Sequence, residues 1–363
     1  MFRLRIDKEG YRPSFYYEYH PEHEVGEVFG CTSAEWVDPY PVFTYDDFEL
    51  WPENPQNDDH PMLPDIMPDK RDLENYEFDC AQLEGSSKIQ SVTLRPNASW
   101  ANIGYGPFNV RLEADGQGTA TEFVQEVELN DGGSIDVDLG VDILEWHAGG
   151  GHNHFHMKDW STLRLLELSS SCNDLPENRS PSCEIADGQK VAACVVSLEE
   201  FDEEILAEYG DDDPSLNCLP ANGGTTELHA GYKDVYHRNL EGQAIRLGSP
   251  SGSLNIVPPG TYLLENHWDP TGFYEGEGVF RERNNKSVRV QVEIPEFSTA
   301  YDPTVCARNQ ETDCRDWQNA PLTTRNRCRD HLRCETDADC VGANHTCQSF
   351  SGEPDDYCAV GLP

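Results

Sequence analysis

The chain has 363 residues, of which 37% are hydrophobic, and its 67 acidic residues far outnumber its 26 basic ones. This length and hydrophobic content are sufficient for a core in one large domain or two modest ones, which excludes a purely disordered chain. The acidic excess excludes a nucleic-acid partner, because phosphate binding requires a basic face. The same excess fits either a surface adapted to a salty medium or a surface that attracts cationic amines.

Residues 1–60 are rich in aromatic, proline and acidic residues and have almost no periodic apolar pattern. They predict an irregular N-terminal arm wrapped on the rest of the protein. The start of the chain has no apolar segment typical of a signal peptide, and no stretch reaches the roughly 18 apolar residues of a membrane span. Thirteen cysteines nevertheless indicate an oxidising compartment. We therefore expect a secreted or otherwise extracytoplasmic protein without a membrane span, whose signal peptide is not visible in this sequence.

Residues 61–300 have the pattern of antiparallel β-structure. Short alternating runs are separated by Gly, Pro and Asn, as at 134–140 and in the alternation of Val and Ile at 288–294. One helix is predicted at 198–209, where Ser197 and Glu200 form a capping box and Gly210 follows as a stop signal. The predicted fold class is all-β, a β-sandwich with long inserted loops and one short helix.

Residues 301–363 are predicted to form a small disulfide-rich C-terminal module. Seven cysteines lie between Cys306 and Cys358, and the apolar periodicity is lost. Disulfides would stabilise such a segment, whose size does not allow a core of its own. Metal binding there is disfavoured because the spacings do not match paired CxxC motifs. The expected pairs are Cys172–Cys183, which bracket a polar loop, and Cys194–Cys218, Cys31–Cys80, Cys334–Cys347 and Cys340–Cys358. Because the total of thirteen cysteines is odd, one thiol must stay unpaired within the chain.

Four of the twelve histidines lie in the segment EWHAGGGHNHFH, residues 145–156. Side chains two positions apart share a face of an extended strand, so His152, His154 and His156 are expected to project together. Three imidazoles in this arrangement suit one transition-metal ion. With no carboxylate or thiolate adjacent, we rank Cu²⁺ ahead of Zn²⁺. His147 is a candidate for an outer position around the ion.

Three motifs, in this order along the chain, resemble those of the lysyl oxidase family. The first is the histidine segment with Trp146 before it and the sequence from Asp159 to Glu167 after it. The second is GQKVAAC at 188–194, and the third is GYKDVY at 231–236. Shorter matches follow the same order at 63–65, 102–107, 242–243 and 257–262. The resemblance implies a lysyl oxidase-like copper amine oxidase domain over 61–300.

The resemblance also implies a cofactor made from the chain itself. In the family a lysine and a tyrosine cross-link into lysine tyrosylquinone, and the matching positions here are Lys190 and Tyr236. Copper and molecular oxygen would oxidise Tyr236, and the neutral amine of Lys190 would add to its ring. The expected activity is oxidation of a primary amine, peptidyl lysine in particular, to an aldehyde with release of ammonia and hydrogen peroxide.

This chemistry requires a base to remove a proton from the bound substrate. Asp234 is the first candidate and His237 the second. For Asp234 the structural alternative is a carboxylate that stabilises a turn.

Two other functions fit part of the pattern. A non-catalytic metal-binding adhesion module would keep the histidine cluster and be indifferent to Lys190. A zinc hydrolase would use three histidines and one open coordination position, but it gives no reason for the Lys190 and Tyr236 motifs.

Overall fold

A computed structural model gives the fold of the chain. It describes the backbone of residues 2–4, 11–13, 16–18, 50–52, 62–83, 87–116, 119–129, 132–149, 152–169, 172, 179–209, 218–240, 242–251, 256–270, 274, 287–306, 312–315, 317–332, 334, 345–349 and 356–360. Some side chains within these ranges lie outside the description, including those of His147, His152 and Lys190.

The described part of the chain is built mainly of β-strands. The strands are β1 Phe2–Leu4, β2 Tyr11–Pro13, β3 Tyr16–Glu18, β4 Leu50–Pro52, β5 Ile66–Pro68, β6 Tyr76–Gln82, β7 Ser91–Pro96, β8 Ala98–Asn102, β9 Phe108–Ala114, β10 Ala120–Glu128, β11 Ser134–Asp138, β12 Leu144–Gly149, β13 His152–Glu167, β14 Glu184–Ala193, β15 Glu199–Glu200, β16 Gly224–Leu228, β17 Tyr232–Tyr236, β18 Ile245–Gly248, β19 Gly260–Trp268, β20 Ser287–Ile294, β21 Thr312–Asp313, β22 His345–Ser349 and β23 Asp356–Val360. The α-helices are α1 Lys70–Leu73, α2 Glu203–Tyr209 and α3 Leu322–Leu332.

Three larger sheets share one hydrophobic core. The largest has nine strands in the order β20-β19-β13-β14-β18-β7-β6-β21, with β12 paired on β13. Two four-stranded sheets have the orders β11-β10-β9-β16 and β15-β17-β8-β5. Leu264, Leu112 and Trp100, one from each sheet, are buried in the same cluster. The predicted all-β fold of layered sheets is therefore confirmed.

The sequence patterns locate several of these strands well. β11 falls within the predicted run at 134–140, and β20 covers the predicted alternation at 288–294, where Val290, Val292 and Ile294 are buried. The predicted N-terminal arm is not wholly irregular, since β1 pairs with β3 and β2 pairs with β4. Its packing on the rest of the protein lies outside the described residues.

The predicted helix at 198–209 begins later than expected, and it is not the only one in the described part. Glu199 and Glu200 form the strand β15 on β17. The cap of α2 is Asp202, whose Oδ1 accepts hydrogen bonds from the amides of Glu204 and Ile205, each at 3.1 Å. The Ser197 hydroxyl instead accepts a hydrogen bond from the amide of His229, at 2.9 Å. Strand pairing therefore overrides the capping-box pattern.

The C-terminal segment contains α3, which the sequence did not predict. Its Cys328 and Leu332 belong to a second buried cluster with Trp317, Tyr357 and Ala81 of β6. The segment thus shares a small core with the edge of the large sheet. Within the described part of the chain, no helix is long and apolar enough to cross a membrane.

Five disulfides join described cysteines: Cys80–Cys306, Cys172–Cys183, Cys194–Cys218, Cys314–Cys328 and Cys334–Cys347. Three of the predicted pairs are confirmed. The predicted Cys31–Cys80 pair is wrong, because Cys80 lies on the sheet edge to which the C-terminal segment returns and there meets Cys306. Cys358 is disulfide-bonded, whereas Cys31 and Cys340 lie outside the described residues.

Candidate active site

The β12–β13 hairpin carries the histidine motif. The imidazoles of His154 and His156 lie on one face of β13, with their ring centroids 4.8 Å apart and their Nε2 atoms 2.8 Å apart. Phe155 faces the other way and packs on Trp146, with ring centroids 4.9 Å apart. The structure thus brings together two of the three predicted metal ligands.

The two Nε2 atoms lie within hydrogen-bond distance of each other, so one ring can donate to the other. Two imidazole nitrogens bound to one tetrahedral Zn²⁺ at about 2.0–2.1 Å would lie about 3.3 Å apart, so a shared ion would require the two rings to separate slightly. His152 begins β13 opposite Gly149, and His147 pairs with His154, but both side chains lie outside the described part. Among the described residues, no group of three or more His, Cys, Asp or Glu side chains is arranged for a metal ion. The third ligand therefore stays a prediction.

Tyr236 ends β17 with its hydroxyl held by the backbone of Cys194. The hydroxyl accepts a hydrogen bond from the Cys194 amide at 2.7 Å and donates one to the Cys194 carbonyl at 3.0 Å. The ring packs edge-on against Trp100, with centroids 5.6 Å apart. Burial, together with the negative charge of Asp234, raises the pKa of Tyr236 well above its ordinary value. The phenol is therefore fixed in orientation and neutral near pH 7.

Asp234 lies two residues before Tyr236, on the same face of β17. It is 0% exposed, and neither carboxyl oxygen has a hydrogen-bond partner of normal geometry within the described part. Burial raises the pKa of Asp234 well above its ordinary value, and the amides of Val196 and Val235 offset this effect only partly. A buried carboxyl group with a raised pKa is a stronger base, once ionised, than an exposed one.

The disulfide Cys194–Cys218 connects the tyrosine with the histidines. Cys194 holds the Tyr236 hydroxyl, and directly after Cys218 the carbonyl of Leu219 accepts a hydrogen bond from the Phe155 amide at 2.9 Å. Pro220 forms an antiparallel bridge with His154. The Tyr236 hydroxyl and the histidine strand are therefore attached to the two ends of one disulfide.

Lys190 lies on β14, the strand that leads to Cys194. Its backbone pairs with Thr162 of β13, and Ala193 pairs with Met157, the residue after His156. Gly188 brings β14 close to its neighbours, because an added Cβ would lie 3.0 Å from Leu163 and 3.1 Å from the Ala244 carbonyl oxygen. The second motif is thus brought to the same region by its backbone, while the Lys190 side chain lies outside the described part.

Two neighbours of Tyr236 are poorly placed for its chemistry. The ammonium group of Lys233 lies 2.7 Å from Asp72, 3.5 Å from Asp69 and 3.3 Å from Glu199. Burial lowers its pKa, but these carboxylates outweigh burial and raise it, so Lys233 stays protonated and is a poor nucleophile. His237, the second candidate base, is exposed and alternates to the opposite face from Asp234 and Tyr236.

Sequence reasoning missed two features of this region. Cys194 was predicted only as a disulfide partner, since no local signal shows that its backbone holds a hydroxyl 42 residues away. Gln243 precedes β18, whose Ile245 pairs with Gly188 of the Lys190 strand. Gln243 is 1% exposed, and within the described part neither polar atom of its side chain has a hydrogen-bond partner. The GQ match at 242–243 was the only sequence signal for it.

Comparison with known proteins adds no relative. No family model matches the chain, and no curated protein matches it significantly in sequence.

Proposed function

We propose that the chain is a copper-dependent amine oxidase of the lysyl oxidase kind, with a quinone cofactor formed from Lys190 and Tyr236. The observation that carries this proposal is the junction at Cys194–Cys218. Three motifs that are far apart in the sequence have their backbones or side chains attached to this one disulfide or to the strand that leads to it. An oxidase requires these motifs in one place, whereas a purely structural role gives no reason for them to meet.

Copper bound by His154 and His156, with His152 as the predicted third ligand, would supply the redox chemistry that converts Tyr236 and Lys190 into a quinone. Two properties of the chain support this assignment. The Cys194 backbone orients the Tyr236 hydroxyl. The buried Asp234 carboxyl group, whose oxygens have no hydrogen-bond partner of normal geometry within the described part, would serve as the base for the substrate proton. Five disulfides support an oxidising, extracytoplasmic location for such an enzyme.

The test uses copper-loaded protein and two substitutions. Lys190→Arg should fold but form no cofactor, because a guanidinium stays protonated and cannot add to the ring. Tyr236→Phe should also form none, because it lacks the oxygen at which oxidation begins. Redox staining of the denatured chain for quinone and peptide mass spectrometry for a 190–236 cross-link give the readout, with peroxide release from a primary amine measured alongside.

Two matched variants control for damage to the fold. Tyr274→Phe removes another buried hydroxyl, which donates to the Lys158 carbonyl at 3.2 Å, and Lys70→Arg changes an exposed lysine of α1. Both should stain for quinone as wild type does. Quinone in Lys190→Arg would overturn the proposal. A wild-type protein that binds copper but has neither cross-link nor amine oxidation would favour the adhesion module instead.

A further inference from the structure

Helix α3 docks on the large sheet through buried charges. Arg95 of β7 and Asp330 of α3 are both 0% exposed, and their side chains lie 2.5 Å apart. Arg327 of the same helix bonds to Asp79 at 2.6 Å and to Glu77 at 3.1 Å, both on β6. Buried charges are strongly unfavourable unless each has a partner, so these pairs define where the helix binds.

Arg95 and Asp330 also hold the loop that follows Tyr236. The Arg95 guanidinium donates to the carbonyls of Arg238 and Leu240, each at 2.7 Å. Asp330 Oδ1 accepts a hydrogen bond from the Gly242 amide at 2.9 Å. The described ends of the 237–242 loop are therefore bound to one ion pair between the sheet and the helix.

This loop connects the tyrosine strand β17 with β18, the strand that pairs with the lysine strand β14. It begins directly after Tyr236, at the end of β17, and leads through Gln243 into β18. β18 pairs with β14, the strand of Lys190, at Ile245 and Gly188. The loop is therefore the covalent link between the end of the tyrosine strand and the strand that pairs with the lysine strand.

We propose that the C-terminal segment positions the cofactor precursors: Asp330, through Arg95, clamps the 237–242 loop and thereby holds Tyr236 within reach of Lys190. This inference rests on the proposed function, because only formation of the cross-link requires this alignment. Asp330 and Arg95 are positioning residues, because they act through the loop and not on the substrate. The alternative is that α3 only stabilises the sheet.

Asp79 provides a matched comparison for Asp330. Each is a buried aspartate with an arginine partner across the same helix–sheet contact. Asp79 forms ion pairs with Arg327 and His331, both on α3. Asp330→Asn and Asp79→Asn should therefore both lower the stability, but only Asp330→Asn should release the loop.

The experiment measures hydrogen exchange and quinone content per folded chain in full-length, copper-loaded protein. For Asp330→Asn we expect at least tenfold faster exchange of the amides in 238–242 and at least a tenfold loss of quinone. Asp79→Asn should stay within about twofold of wild type in both. Arg95→Lys is the second variant in case Asp330→Asn fails to fold, because it keeps a positive charge but loses the fork that binds two carbonyls. It should show the same two losses.

Equal effects of Asp330→Asn and Asp79→Asn would overturn the clamp. A released loop with unchanged quinone content would overturn its role in positioning Tyr236. If wild-type protein contains no quinone, the proposed function fails, and exchange in the 238–242 amides alone decides whether the clamp exists.

Discussion

The environment of Asp234 lowers the stability of the folded state but favours the proposed chemistry. Its carboxyl group is buried, and within the described part it has no hydrogen-bond partner of normal geometry. The ionised form is therefore unfavourable in the folded protein, and the same property makes the group a better base near neutral pH.

Asp234→Asn should consequently remove activity and improve stability. We expect amine oxidation to fall roughly 10²–10⁴-fold, the usual contribution of a general base. Because the pKa of Asp234 is raised in the folded state, wild-type stability should fall as the pH rises above the unfolded-state pKa of about 3.9, until the folded-state pKa is passed.

The amide does not titrate, so the variant should gain stability relative to wild type over that window and match it below. Thermal denaturation of both proteins as a function of pH measures the difference. A variant that is less stable than wild type at neutral pH would contradict the assignment of Asp234 as a buried acid whose ionised form destabilises the fold.

At the scale of single residues, the sequence predicted those features that depend on local backbone geometry. The spacing of His154 and His156 was enough to predict a shared face, because strand alternation is a local property. The burial of Asp234 was not predictable, because it depends on strands β8 and β17 and on the 194–196 segment. These come together only in the folded chain.

The strand β13 and the disulfide beside it act together as the support for the histidines. Cys194–Cys218 and Cys172–Cys183 close loops with sequence separations of 24 and 11 residues. Each contributes about 3 kcal/mol in the chain-entropy model. The two disulfides lie toward opposite ends of the β13–β14 pair, since Ala193 pairs with Met157 and Glu184 with Leu166.

Replacing each disulfide by two serines should therefore separate stability from metal binding. We expect similar losses of stability in both double variants. Only Cys194→Ser/Cys218→Ser should lower the affinity for Cu²⁺, by about tenfold or more, as is usual when a supporting contact of a ligand is lost. Denaturant unfolding and copper titration provide the two measurements, and an equal loss of affinity in both variants would argue against a specific role.

Strands and helices with a local sequence signal were predicted more accurately than those that depend on long-range contacts. β13 and β20 follow from alternation, whereas α2 was extended by five residues because Ser197 and Glu200 imitate a capping box. The sequence does not show that β17 offers backbone partners to residues 199 and 200. α3 was missed because its buried positions carry Arg, Asp and His, which no apolar pattern reveals.

At the scale of the whole molecule, salt should affect the exposed acidic residues more than it affects the buried ion pairs. The formal net charge is −41, and self-repulsion at this charge destabilises a compact state. The Arg95–Asp330 and Arg327–Asp79 pairs are buried and are screened much less.

The midpoint of thermal unfolding should rise with NaCl, from roughly 0.01 M, where the Debye length is about 30 Å, to roughly 1 M, where it is about 3 Å. Sucrose at equal osmolality is the control for effects that do not depend on charge. A midpoint that is unchanged or falls with salt would show that surface repulsion does not limit stability.

The long-range pairing of β21 with β6 also explains why one disulfide was predicted wrongly. Cys31 was the predicted partner of Cys80, but β21 pairs with β6 as a parallel strand, and Cys306, which precedes β21, forms the disulfide with Cys80. A contact across 226 residues has no signature in local sequence.

The position of helix α3 has a further consequence for the order in which the molecule is made. The ribosome completes Glu77, Asp79 and Arg95 long before it reaches Arg327 and Asp330, which lie 235 to 250 residues later. Until then the loop after Tyr236 lacks its clamp. A nascent or prematurely terminated chain would therefore possess every residue of the proposed cofactor and still fail to mature, so that the proposed quinone would be confined to molecules whose synthesis is finished.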